Sequence, residues 1–263
     1  MLILPEAAGL HYEIHGREDR DPLILSSGLG GSGDYWKPNV RALAEHFRVI
    51  VYDHRGTGRS DRALPETVSV DDLADDIAVL LDALGIERAH IMGHAAGGVA
   101  GLALALRSPR RLRKLVVVNG WARPDPHFLR CFAARLSLLR NSGAEAFLRA
   151  QPIFLYPATW ISLHDAALES DLPYHLADFP SQATLEKRIA ALAAFDVAGR
   201  LVALTTPLLA LAARDDMLVP WTASEAFEAA PNASTATMSW GGHACNVTDP
   251  GTFNLLVLDY LRG

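Results

Sequence analysis

An α/β fold on a mostly parallel central sheet, flanked by helices and interrupted by one helical insertion, is what this sequence predicts, and three observations predict it. Short β-type runs alternate with amphipathic helical segments through the first 118 residues. The alternation stops between residues 119 and 202 and resumes at Pro207. In the middle, the stretch 89–101, AHIMGHAAGGVAG, carries a short apolar run (Ile91, Met92) into a glycine-flanked turn and leaves it as small and apolar residues in helical register.

Taken in order, residues 10–15 and 23–26 read as strands, 36–47 as a helix and 49–52 as a strand. Ser69-Val70-Asp71-Asp72 then opens a helix. Its apolar residues Leu73, Ile77, Leu80, Leu81 and Leu84 share one face, and Gly85 supplies the stop. Residues 88–92 and 115–118 complete the central strands, with the helix after the glycine turn between them. This alternation implies parallel pairing and a ligand site at the carboxyl ends of the strands.

Residues 119–202 are rich in Leu, Ala, Arg, Phe and Trp, show helical patterns at 128–139 and 185–195, and contain no β-type run. The expected organisation is therefore a core of residues 1–118 and 203–263, with 119–202 as a helical lid over the strand ends. A helical domain unrelated to the site is the alternative. From Pro207 the pattern continues with a strand, the turn Arg214-Asp215-Asp216, a helix at 223–230, a strand at 235–238 and a final helix at 253–261.

A chain of 263 residues, 50% hydrophobic, buries a large core and suits one domain with an insertion. Its net charge of −6 offers no basic surface to nucleic acid. The two cysteines, Cys131 and Cys245, lie far apart and give neither a disulfide framework nor metal-ligand spacing, so neither a metal nor a cofactor is expected. The opening MLILPEAAGL is too short an apolar run for a leader, and no window approaches the roughly 18 apolar residues of a membrane span. The expectation is a soluble, cytoplasmic protein acting on a small molecule.

Four segments fall at strand ends and carry polar residues or glycines that packing alone does not require. Ser26-Ser27-Gly28-Leu29-Gly30-Gly31-Ser32-Gly33 can turn backbone N–H groups toward one point, as an oxyanion hole needs; a flexible loop is the alternative. Asp53-His54-Arg55-Gly56-Thr57-Gly58-Arg59-Ser60 reads as a structural turn in which Asp53 and Arg55 bond backbone or each other. Asp215-Asp216-Met217-Leu218-Val219-Pro220 is the third, and Gly241-Gly242-His243-Ala244-Cys245 the fourth. The turn at 93–97 has the layout of a G-x-S-x-G nucleophile elbow, but its centre is Ala95, so no serine ester forms there.

Together these residues resemble the α/β-hydrolase fold superfamily over nearly the whole chain, in the chain order elbow, acid, histidine. The run D-x-R-G-x-G-x-S at 53–60 and the pair Gly242-His243 carry the likeness most specifically. The resemblance implies His243 as triad base, Asp216 as its acid with Asp215 as second choice, and the N–H groups of Leu29 and Ala96 as oxyanion donors. Ala95 is the departure. SGLGGSGDYW (27–36), NGW (119–121), AQPIFLYPATW (150–160) and GGHACNVTDPGTFN (241–254) further resemble the RutD-type proteins of the Rut pyrimidine-degradation pathway, assigned aminoacrylate or carbamate hydrolysis, whose elbow also reads GHA. Ala95 then reads as native. A laboratory Ser-to-Ala substitution in a serine esterase or amidase is the competing account.

The implied chemistry is hydrolysis in uracil nitrogen catabolism without a serine nucleophile. A histidine oriented by a carboxylate is a general base near neutral pH, and fixed N–H donors stabilise developing negative charge. A triad stripped of its serine retains on the order of 10³ to 10⁴ over water. That is poor for an ester, yet sufficient for carbamate or aminoacrylate, which already decompose in water. Ser27, His94 and Trp121 are the candidate pocket residues. Phe154, Tyr156 and Trp160 line an apolar pocket or fill simple core, and Arg130 or Arg135 could meet a small anion if the lid points them inward. Cys245, imagined as a replacement nucleophile, has no evident base aimed at it. A catalytically silent ligand-binding protein is the alternative function, against which stands the retained acid and base.

Overall fold

The computed structural model describes residues 8–263. Residues 1–7, read above for a leader and as the start of the core, lie outside the described residues. The chain runs β1 (Tyr12–His15), β2 (Pro22–Ser26), α1 (Lys37–Ala44), β3 (Arg48–Tyr52), α2 (Val70–Ala83), β4 (Ala89–His94), α3 (Ala96–Arg107) and β5 (Leu112–Val118). It continues through α4 (Pro126–Leu155), α5 (Ala158–Ala177), α6 (Gln182–Ala194), β6 (Leu208–Ala213), β7 (Ala233–Met238), α7 (Cys245–Thr248) and α8 (Pro250–Arg262). The strands form a seven-stranded sheet in the order β1-β3-β2-β4-β5-β6-β7. Every pairing is parallel except β1 with β3.

Alternate residues along each strand feed two cores, one on each face of the sheet. Ile24, Ile50 and Ile91 join the face packed by Leu73, Ile77 and Leu80 of α2 and Val99 and Leu102 of α3. Leu23, Leu25, Val49, Val51 and Met92 join the opposite face with Leu43 of α1 and Phe253 and Val257 of α8. Each such fully buried side chain stabilises the fold by roughly 1.5–3 kcal/mol relative to exposure. α2 begins as its sequence dictates: the Ser69 hydroxyl accepts from the Asp72 N–H while the Asp72 carboxylate accepts from the Ser69 N–H. Gly85 follows the helix at φ +64°, the left-handed conformation that a stop of this kind requires.

Residues 119–202 hold α4, α5 and α6 and no strand among them. α4 continues well beyond residue 139, to Leu155, across a break at Gly143 (φ 83°, ψ −175°). α5 carries no amphipathic stripe and buries only Leu172, which is why its periodicity gave no signal. The segment expected as a helix at 223–230 is instead a 3₁₀ helix, Trp221–Ala229, and a further 3₁₀ turn, Gly33–Trp36, precedes α1. No helix among the described residues is long and apolar enough to cross a membrane.

Candidate active site

The glycine turn is the join between β4 and α3, and Ala95 sits in it at φ 46°, ψ −107°. A non-glycine residue there is strained by about 1–3 kcal/mol, held by the surrounding bonds. Ala95 N–H donates to the Val118 carbonyl and Gly97 N–H to the Ser27 carbonyl, both at 2.9 Å. The flanking glycines are steric necessities: a Cβ on Gly93 would run into the Gly97 carbonyl, and one on Gly97 into the Ser26 backbone. The loop after β2 lies against the turn, since a Cβ on Gly28 would stand 3.9 Å from the Ala95 methyl. Leu29 N–H and Ala96 N–H, the two expected donors, give no hydrogen bond to any described residue; Ala96 opens α3, where an N–H has no partner within the helix.

Asp216 and His243 come together from the ends of β6 and β7. Asp216 Oδ1 accepts from Leu218 N–H (2.7 Å) and Val219 N–H (2.9 Å). Its Oδ2 accepts from His243 Nδ1 at 2.8 Å, and the two side chains are 0% and 2% exposed. A carboxylate only accepts, so in the neutral imidazole the His243 proton lies on Nδ1 and the lone pair on Nε2. Asp215 does not touch the ring; its carboxylate accepts the Gly242 N–H at 2.9 Å and so fixes the loop that carries the histidine.

The same loop is held from below by two side chains. His94 Nε2–H donates to the His243 carbonyl at 2.8 Å, and its ring packs edge-on to that of His243 and stacks on Tyr35. Burial, then the neighbouring His243, hold His94 well below the ordinary imidazole pKa, so it is neutral. Asn119, quoted above only within the run NGW, is a positioning residue that sequence reasoning missed. It adopts φ 47° at the end of β5, donates from Nδ2 to the His243 carbonyl (2.7 Å) and the Gly242 carbonyl (3.3 Å), and accepts the Ala213 N–H (3.0 Å). An asparagine directly after a central strand, tolerant of the left-handed region, was the available signal.

Ser27 is buried with its hydroxyl unpartnered, and Trp121 is buried against Phe128 in the core cluster that also contains Ala95. Tyr156 and Trp160 pack on each other, 4.4 Å between ring centroids. Cys245 is fully buried, and that burial, then Asp216, pushes its thiol far above the usual range, which removes it as a thiolate nucleophile. Arg130 is exposed and Arg135 buried. The segment 53–60 forms the expected turn, with Asp53 accepting from Gly33 N–H, Arg59 N–H and Arg59 Nε. Arg55 pairs with Asp76 rather than Asp53, because Arg59 already occupies that carboxylate. Among the described residues, no group of three or more His, Cys, Asp or Glu is placed to hold a metal ion.

A model of the alpha/beta hydrolase fold matches residues 21–250. Over 258 residues the chain is 53% identical to a protein of a Caulobacter species that bears the provisional name carbamate hydrolase RutD, covering 97% of this chain and 96% of that one. A protein of the same provisional name from Caulobacter vibrioides is 52% identical with the same coverage. Among solved structures, a hydrolase from Pseudomonas aeruginosa matches with a TM-score of 0.87 at 27% identity, over 97% of this chain and 94% of that one.

Proposed function

The chain belongs to the alpha/beta hydrolase fold family and within it to the RutD group, and from that premise we propose that it hydrolyses C–N bonds of small molecules, carbamate or aminoacrylate, through His243 and without a covalent enzyme intermediate. The observation that carries the reading is the Asp216–His243 hydrogen bond of 2.8 Å, kept intact beside an elbow whose central residue is Ala95. An intact acid–base pair has no use in a passive receptor.

For carbamate, His243 Nε2 takes a proton from water as its oxygen attacks the carboxyl carbon. The N–H groups of Leu29 and Ala96 meet the oxygen on which charge builds, and the protonated histidine returns its proton to nitrogen as the C–N bond breaks, giving ammonia and bicarbonate. For aminoacrylate, transfer of a proton from nitrogen to carbon gives the imine, water adds to the C=N carbon, and the resulting carbinolamine loses ammonia to give an aldehyde acid. Neither route requires an acyl-enzyme, so Ala95 is no obstacle. The likeness to the RutD group supports reading such a step as part of uracil nitrogen catabolism.

Ammonia release from freshly generated aminoacrylate, and carbamate decay, are to be followed against the buffer rate for the wild type and for His243→Ala. The wild type should run at least about tenfold above buffer, equivalent to about 1.4 kcal/mol of barrier, and the variant should lose that gain. A wild type no faster than buffer on both compounds, or a His243→Ala protein as fast as wild type, overturns the reading in favour of a silent ligand-binding protein.

A further inference from the structure

Arg135 is a buried cation that the fold does not explain. It is 4% exposed and lies on the inward face of α4 with Phe128, Cys131, Phe132 and Leu139. Among the described residues its one hydrogen bond runs from Nη2 to the Gln151 side-chain oxygen at 3.2 Å, and its Nε has no partner. No described carboxylate pairs with it. Three rings fence it instead, Phe147, Phe154 and Phe132, at 4.8, 5.5 and 5.9 Å from the guanidinium carbon. Rings attract a cation but accept none of its N–H bonds in the way a carboxylate does. Buried arginines are ordinarily paired. The contrast is Arg188 on α6, also buried, each of whose three guanidinium nitrogens finds an acceptor: the Leu29 and Arg55 carbonyls and His54 Nδ1.

The elements around this cation also touch those of the candidate site. Phe132 and Phe128, on the same face of α4, share a core cluster with Ala95, Ala96 and Val219, against which Leu29 and Phe154 also pack. Phe154, one of the three fencing rings, precedes Leu155, whose carbonyl accepts the Ala244 N–H at 2.9 Å, next to His243. Cys131, one turn before Arg135, donates from Sγ to the carbonyl of Met217, the residue after Asp216, at 3.6 Å. Burial pushes Arg135 down to about 10, so it stays charged near neutrality.

We propose that Arg135 is the anion-binding residue of this site, its guanidinium fork receiving the carboxylate of a small monoanion so that the nitrogen-bearing end of the substrate is presented to His243. The orientation of a substrate rests on the function proposed above; the binding of a small carboxylate does not. Aminoacrylate carries such a group apart from the carbon that water attacks, whereas the carboxyl of carbamate is itself the reacting group, so the subsite favours aminoacrylate; a bidentate pairing satisfies the N–H donors that the protein leaves unused.

The test uses propionate as the probe, with propionamide as its neutral counterpart, at constant ionic strength in chloride. Calorimetric titration of the wild type should show saturable propionate binding and none of propionamide. Arg135→Met, which keeps bulk among the rings, should weaken propionate by about ten- to hundredfold, and Arg135→Lys by less. A wild type that does not distinguish propionate from propionamide, or a folded Arg135→Met protein that binds propionate as wild type does, overturns the proposal. Should Arg135→Met fail to fold, Arg135→Lys decides: affinity unchanged from wild type overturns it. Propionate binding lost with Arg135 in a protein that does not speed ammonia release leaves the subsite standing and removes the hydrolase reading. Accelerated ammonia release without propionate binding does the reverse.

Discussion

Replacing Asp216 by asparagine exchanges one oxygen for an amide nitrogen and reverses one hydrogen bond. Asp216 Oδ1 takes the N–H groups of Leu218 and Val219, and an asparagine oxygen keeps both, so the loop after β6 holds its course. The other branch becomes an NH₂ that donates to His243 Nδ1, where the carboxylate accepted from it. The ring proton is then forced to Nε2, and the lone pair needed for general-base work is gone. The bond at stake joins side chains 0% and 2% exposed, so water screens it little. About 1.5–3 kcal/mol for a charge-assisted bond corresponds to about a 10- to 160-fold loss of rate from ring positioning alone. The wrong tautomer adds to that; in a serine triad the same exchange costs about 10⁴. Ammonia release by Asp216→Asn, its fold checked by circular dichroism, should therefore sit close to the buffer rate. A folded variant with wild-type acceleration would refute the assignment of His243 as a base held by Asp216.

Ala95→Ser should confer weak hydrolysis of short p-nitrophenyl esters and labelling by organophosphonates, since the elbow and the Asp216–His243 pair stand ready; a folded variant inert to both shows that His243 does not reach residue 95. Asn119→Ala strips the Ala213 N–H of its partner and the His243 carbonyl of one of two donors. It should cost about 2–4 kcal/mol in denaturant unfolding and slow turnover more than it raises KM, whereas stability within 0.5 kcal/mol of wild type, by about the error of such measurements, removes Asn119 from the positioning role. Stability should also fall with acid. Burial lowers the folded pKa of His90 from 6.5 to about 4, and those of His54 and His94 well below the ordinary value. The unfolded chain binds these protons first, so stability present above pH 6.5 is lost as the pH drops toward 4, about 3 kcal/mol of it through His90. Urea unfolding of His90→Gln from pH 7 to 4 should show a shallower slope than wild type; identical slopes count against the assignment.

The sheet was legible because each central strand writes its burial into its composition. The runs around Ile24, Ile50, Ile91 and Val117 are apolar on both faces, as a parallel sheet demands. α5 was not, because a helix that buries only Leu172 leaves no periodic trace. The choice between Asp215 and Asp216 was also beyond spacing. Both are carboxylates at one strand end, and the chain aims one at the His243 ring and the other at the Gly242 N–H. Arg135 was half legible. Phe128, Cys131, Phe132, Arg135 and Leu139 recur at helical spacing, which sets the inward face, but a cation on that face contradicts the pattern that identifies it.

Ala95 bears on the proposed chemistry through what its strain accomplishes. An alanine methyl gains nothing from φ 46°, ψ −107°, and about 1–3 kcal/mol of strain is retained all the same. The turn it makes starts α3 at Ala96, so the first free N–H of a helix, with the positive end of its dipole, faces the strand ends beside the Leu29 loop. Every residue around the elbow that orients a proton or a donor is therefore kept, while the atom that would form a covalent bond is not. Such a site suits a reaction in which negative charge grows on the substrate and a proton moves, with no acyl group carried on the protein. A substrate that decomposes unaided sets a low rate requirement, and for it a hydroxyl at residue 95 would open an acyl-enzyme route that the reaction does not need.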